Sequence, residues 1–163
     1  MGNLPIKKLN VRQKYSSSLI IAGVLIIILF NTLVIQYTVA QPLPMKKQIT
    51  EMVIRQAKAW SEQNIEAIVN DFAEDAVFIA AGFKFQGKQQ IEQAAQNYFQ
   101  QFHHTSVKIK RIVIEDKQGA VEWDWRDKER QTGKEGYAED AIIFELENSQ
   151  IIYWREYIEK KKL

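Results

Sequence analysis

Apolar positions along the chain follow three different rhythms. From Leu19 to Ile35 they are nearly continuous, broken by Asn31 and Thr32. At a helical rise of about 1.5 Å per residue, a stretch extended through Val39 is long enough for a hydrocarbon core near 30 Å. Beyond Pro42 and Pro44, which make a short stiff linker, the rhythm becomes helical. Ile49, Met52, Val53, Ala57 and Trp60 predict an amphipathic first helix, and Ile65, Ile68, Val69 and Phe72 a short second one with Asn64 as N-cap. Asp75 and Ala76 lead into an extended piece, Val77 to Ala80, and Gly82 and Gly87 bracket a hairpin arm, Phe83-Lys84-Phe85. Ile91, Ala94, Ala95, Tyr98 and Phe102 form the stripe of a third helix.

After that helix the period drops to two. Val107 to Ile114 alternates and changes phase at Arg111-Ile112, which predicts a β-bulge. Residues 120–126, 136–146 and 151–158 follow as strands, with turns at 116–119 and 147–149 and a longer loop at 131–133. Helices first and an antiparallel sheet afterwards is an α+β plan, and the sheet must curl around the helices to bury both. The organisation expected is a signal peptide or membrane anchor over 1–40, a linker over 41–47, one domain over 48–159 and a basic tail over 160–163.

Charge sharpens this division. Lys7, Lys8, Arg12 and Lys14 precede the apolar run, and no acid accompanies them. Removing those four from 22 basic residues leaves 18 against 20 acids, so the domain is near neutral at −2. The leading positive cluster predicts a cytoplasmic N-terminus, with the domain exported or tethered on the other side of the membrane through residues 19–39. Thr38-Val39-Ala40 suits cleavage before Gln41, whereas the length of the apolar run suits a retained anchor; both remain open. A near-neutral domain lacks the basic field that non-specific nucleic-acid binding needs, and Lys108, Lys110, Arg111 and Lys160 to Lys162 read as solvated charges.

The absence of cysteine excludes disulfides, thiolate metal sites and a Cys nucleophile. His103 and His104 are adjacent and so point apart, a poor metal pair. No glycine-rich phosphate loop and no nucleophile motif is present, so neither metal nor cofactor is expected.

The order of elements, the phrase Phe72-Ala73-Glu74-Asp75-Ala76 and the ending from Phe144 to Tyr157, with Ile152-Tyr153-Trp154-Arg155-Glu156-Tyr157, resemble the nuclear transport factor 2-like (SnoaL-like) superfamily. The resemblance covers roughly 45–159. It implies a cone-shaped, curved antiparallel sheet packed on three N-terminal helices, here behind one hydrophobic N-terminal helix. Beside the limonene epoxide hydrolases, Asp124 falls on the first catalytic acid and Glu156 on the second. Glu122 stands where those enzymes carry Arg, and Phe78 and Ala80 where they carry the Tyr and Asn that hold a water. In the polyketide-cyclase relatives, an acid inside the cone works as general acid or base, a requirement still met.

Alternation places Glu122, Asp124 and Arg126 on one strand face, and Val121, Trp123 and Trp125 on the other. Read without the family, the Trp face is core and the charged face is wet. The resemblance implies the reverse, with the acids in the cone and the outer Trp pair covered by a second subunit of a homodimer. Asp140 shares its face with Ala138 and Ile142, and Glu156 with Ile152 and Trp154; an acid on an apolar face is unusual unless paired or functional. The candidate catalytic acids are therefore Asp124, Asp140 and Glu156, in a pocket completed by Trp60, Phe78, Glu122 and Trp154. Convergence in a partly dry space would raise their pKa values. Two functions fit: a general acid/base lyase, isomerase or cyclase acting on a small, mostly hydrophobic molecule, or a non-catalytic dimerisation or interaction module with a filled interior.

Overall fold

The computed structural model describes residues 44–162. The apolar run, its proposed cleavage point and the first part of the linker lie outside the described residues. Among those described, no helix is long and apolar enough to cross a membrane.

Three helices form where the helical rhythm ran: α1 (Met45–Ser61), α2 (Ile65–Asn70) and α3 (Lys88–Gln101). α1 buries Ile49, Met52, Val53, Gln56, Ala57 and Trp60, a single stripe. Asn64 caps α2, its side chain accepting from the Ala67 amide at 3.0 Å. Gln56 is fully buried, and its Nε2 donates to the Ile68 carbonyl and to Asp71 Oδ2, tying α1 to the end of α2. The second helix is shorter than its apolar spacing implied. It stops at Asn70, and Phe72 already begins a strand.

The strands are β1 (Phe72–Ala80), β2 (Phe83–Gln86), β3 (Phe102–Glu115), β4 (Gln118–Glu129), β5 (Glu135–Glu147) and β6 (Gln150–Lys160). They form one curved, unclosed sheet in the order β2-β1-β6-β5-β4-β3. Hairpins make all neighbours antiparallel except β1 and β6, which pair in parallel with Phe78 opposite Trp154. The sheet is thus mixed rather than wholly antiparallel. No hairpin joins β1 to β6, so no turn constrains their relative direction. The bulge in β3 falls at Lys110, between Ile109 and Arg111, one residue before the expected phase change. It adds a residue to β3 opposite β4 and sharpens the local twist.

The helices pack on one face of this sheet, α1 chiefly over β3 and α3 against β1, β2 and β3. That inner face carries the core. Trp123, Trp154, Phe72 and Phe144 are essentially inaccessible, and Trp154 meets Trp123, Phe144 and Phe72 at ring-centroid distances of 5.7, 5.8 and 6.3 Å. Trp60 reaches down from α1 to Phe78 (6.4 Å), Phe99 (5.5 Å) and Trp125 (5.5 Å). Large rings make up much of this core, and each buries a large apolar area.

Candidate acid–base site on the inner sheet face

Register decides which strand residues share a face. Trp123 pairs with Asp140, Trp125 with Ala138, Asp140 with Ile158, and Ile142 with Glu156. Alternation along β4 continues that face to Asp127. Three carboxylates, Asp127, Asp140 and Glu156, therefore stand on the inner face of three neighbouring strands.

Each is held by an indole. Trp123 Nε1 donates to Asp140 Oδ2 at 3.2 Å, Trp154 Nε1 to Glu156 Oε1 at 3.0 Å, and Trp125 Nε1 to Asp127 Oδ2 at 3.2 Å. Asp127 Oδ2 also accepts from the Tyr98 hydroxyl at 2.6 Å, and that hydroxyl accepts from Trp125 Nε1 at 2.8 Å. Opposite Asp127 in the ladder stands Gly136, where a β-carbon would collide with Asp127 Oδ1. A larger residue there would force that carboxylate to move.

These acids sit where ionisation is costly. Asp140 is 5% exposed, and its Oδ1 is buried without a hydrogen-bond partner. Burial pushes its pKa up to about 6, opposed by the Trp123 bond and reinforced by the charge of Asp127. Glu156 is pushed up further, to about 8, by burial foremost, with the Trp154 bond opposing and Asp140 adding to the rise. Tyr98 is also raised, by burial and then by its bond to Asp127. Burial thus raises both carboxyls, Glu156 further than Asp140, so the two titrate apart.

Asp124 and Glu122 do not join them. Trp123 is fully buried on the inner face, and Trp125 points the same way, so the even-numbered residues of β4 face outward. The plain alternation reading holds, and the arrangement implied by the resemblance, with outward Trp and inward Asp124, does not. Lys110 pairs with Asp124 (3.4 Å) and Glu139 (3.2 Å), Arg111 with Glu122 (3.0 Å), and Lys161 with Glu139 (3.1 Å) and Glu159 (2.7 Å). Tyr137 OH lies within hydrogen-bond distance of both Asp124 and Glu139. Those cations hold Glu139 down to about 2. Of the expected pocket, Trp60, Phe78, Asp140, Trp154 and Glu156 belong to the inner side; Glu122 and Asp124 belong to the outer.

A groove of about 480 Å³ crosses the outer strands over Lys110, Glu122, Glu139, Ala141, Tyr157 and Glu159, and Trp123, Asp140 and Ile158 also line it. A second groove, about 380 Å³, lies between the start of α1 and the ends of β5 and β6. Among the described residues, no group of acids and histidines is spaced to hold a metal ion.

Asp127 and Tyr98 were not anticipated as site residues. The alternating run that places Trp123 and Trp125 extends two residues to Asp127, and Gly136 on the next strand marks the close approach. Tyr98 reads as another apolar stripe position until its hydroxyl is placed.

The sequence matches none of the curated proteins. Solved structures share the fold at low identity. A hypothetical protein with a ketosteroid isomerase-like fold from Catenulispora acidiphila, in complex with trimethylamine, is 19% identical with a TM-score of 0.62, over 66% of this chain and 84% of that one. An epoxide hydrolase from M. tuberculosis is 17% identical with a TM-score of 0.61, over 69% and 84%. A ketosteroid isomerase-like protein from Erwinia carotovora is 15% identical with a TM-score of 0.58, over 69% and 94%. The model of the SnoaL-like domain matches residues 53–154, the span from α1 to the Trp154 that holds Glu156, and the chain belongs to that family.

Proposed function

We propose that the domain is a general acid/base protein for a small, largely apolar molecule, with Asp140 as proton acceptor and Glu156 as proton donor. The observation that carries this is the inner-face trio of indole-held acids, two of them raised by burial to different extents. In a lyase, isomerase or cyclase step, Asp140 takes a proton from carbon while Glu156 delivers one to the atom that gains electron density. Asp127, held by Tyr98 and Trp125, raises the pKa of Asp140 and so positions its titration. Similar structures named as a ketosteroid isomerase-like protein and as an epoxide hydrolase support a small-molecule reading. The leading apolar run and its basic flank support export or tethering, with the domain on the non-cytoplasmic side of the membrane.

The test is solvent deuterium exchange, followed by proton NMR, on a panel of small ketones with acidic α-protons. Exchange above background is expected, greatest between about pH 6 and 8 and lost in Asp140→Asn and Glu156→Gln. No exchange with any ketone, and identical behaviour of both variants, would refute acid/base catalysis.

A second reading rests on the outer face. Val113, Ile143 and Tyr157 are 56%, 46% and 48% exposed there, which supports a partner-binding sheet or a homodimer. Light scattering of wild type beside Ile143→Glu decides it: a dimer that the variant splits supports this reading, and a monomeric wild type removes the homodimer.

A further inference from the structure

We propose that His103, His104, Lys128 and Arg130 form a surface site for the phosphate group of a small phosphate monoester. The site lies where β3 begins and β4 ends, on the outer side of the sheet, and is independent of the inner-face acids. Strand alternation makes neighbours point apart, which is the expectation for His103 and His104, and the structure overturns it. Between His103 and Ser106 the register of β3 against β4 shifts by one residue, and His104 takes a left-handed φ of +49°. That bulge turns His104 back onto its neighbour, and the two imidazoles stack at 4.3 Å with their planes 4° apart. Imidazole lone pairs and N–H groups lie in the ring plane. Two parallel planes therefore do not converge on one metal ion, but they present N–H groups side by side to the several oxygens of one anion.

Two further cations stand beside the pair. Lys128 is directly opposite His103 in the ladder, and its stem runs past Gly133, where a β-carbon would lie 3.7 Å from Lys128 Cε. Arg130 is fixed twice to the end of α3: its amide donates to the Gln101 carbonyl at 2.8 Å, and its Nε to the Phe99 carbonyl at 2.9 Å. Among the described residues, neither Lys128 nor Arg130 forms an ion pair, whereas the outer-face cations Lys110, Arg111 and Lys161 all do. Glu129 accepts from the Thr132 hydroxyl, and Glu135, which faces Lys128 from β5, forms no ion pair with it. Arg126, one outward position further along β4, lies over the Tyr137 ring. Burial foremost, then the charges of His104, Arg130 and Lys128, hold His103 below the ordinary imidazole value. Groups that carry or can take positive charge are thus gathered without an anion. A guanidinium fork, an ammonium and two imidazole N–H groups supply the donors that the oxygens of a phosphate monoester accept from.

The chain has two histidines, so its imidazole NMR signals report on this site alone. Inorganic phosphate and glycerol 3-phosphate are titrated into the full chain at about pH 6.5, with ionic strength held constant by sodium chloride. Dihexanoyl phosphatidic acid supplies the same group from a lipid. Both histidine signals are expected to shift and saturate, with a Kd below about 5 mM for glycerol 3-phosphate. Bound phosphate should also move the His103 titration upward, because the anion favours the imidazolium. Affinity should fall at least about tenfold in Lys128→Gln, Arg130→Gln and His104→Gly, and stay unchanged in Lys84→Gln on the far edge strand. Glycine suits the left-handed backbone at position 104, so His104→Gly keeps the test open should loss of the Phe99 bond unfold Arg130→Gln. Tighter binding of glycerol 3-phosphate than of the lipid supports a small soluble monoester, and the reverse order overturns that source in favour of a lipid headgroup. No saturation up to about 10 mM, shifts that chloride alone reproduces, or equal loss in Lys84→Gln would each overturn the site.

Discussion

Replacing Glu156 by Gln keeps the shape of the side chain and the oxygen that accepts from Trp154 Nε1, and removes only the ionisation. The effect on stability follows from linkage. The folded-state pKa of about 8 stands above the ordinary 4.5, so between those values the folded chain holds a proton that the unfolded chain has released. Stability is therefore fully present below about pH 4.5 and is lost as pH rises through about 8. The gap corresponds to a ceiling of roughly 5 kcal/mol at 1.36 kcal/mol per pH unit. Part of the Glu156 side chain reaches the surface, and solvent screening brings the expected figure nearer to about 2 kcal/mol. For a domain of this size that is roughly 5 to 10 °C in melting temperature. Thermal melts of the full chain at about pH 5 and pH 9, followed by circular dichroism, read it directly. Wild type and Glu156→Gln should melt within a few degrees of each other at the lower pH, and the variant should melt distinctly higher at the upper. Parallel pH profiles would show that Glu156 ionises freely, and the acid–base assignment would go with it.

Other consequences are more local. Gly136→Ala should destabilise by about 1 to 3 kcal/mol in urea, because its β-carbon collides with Asp127 Oδ1, and the added Asp127→Ala change should recover part of that loss. Tyr98→Phe should cost about 1 to 2 kcal/mol by removing the donor to Asp127, read in the same assay. Tryptophan fluorescence should show a transition near pH 8 that survives Asp124→Asn and disappears in Glu156→Gln, since Glu156 touches an indole and Asp124 faces Lys110.

The helices were legible because their faces differ: the stripe from Ile49 to Trp60 and the Asn64 cap each point to one solution. The strands were legible for the same reason, down to a bulge placed one residue away. The parallel pairing of β1 with β6 was not, because no turn or pattern encodes which distant strand will lie alongside. Asp140 and Glu156 stood out as acids on apolar faces, and both are inside. Asp124 was misplaced by the resemblance, although its own alternation with Trp123 already gave the right face. Asp127 was missed because its strand was ended at Arg126, one residue before the position that completes the trio.

The pairing of Phe72 with Ile151 also bears on how the chain is made. These partners are about eighty residues apart, so β1 cannot find its neighbour until nearly all of the domain exists. During synthesis the β6-facing edge of β1 must wait unpaired, and the sheet is completed only when β6 arrives. Amide exchange protection in β1 should accordingly appear last during refolding, together with that of β6.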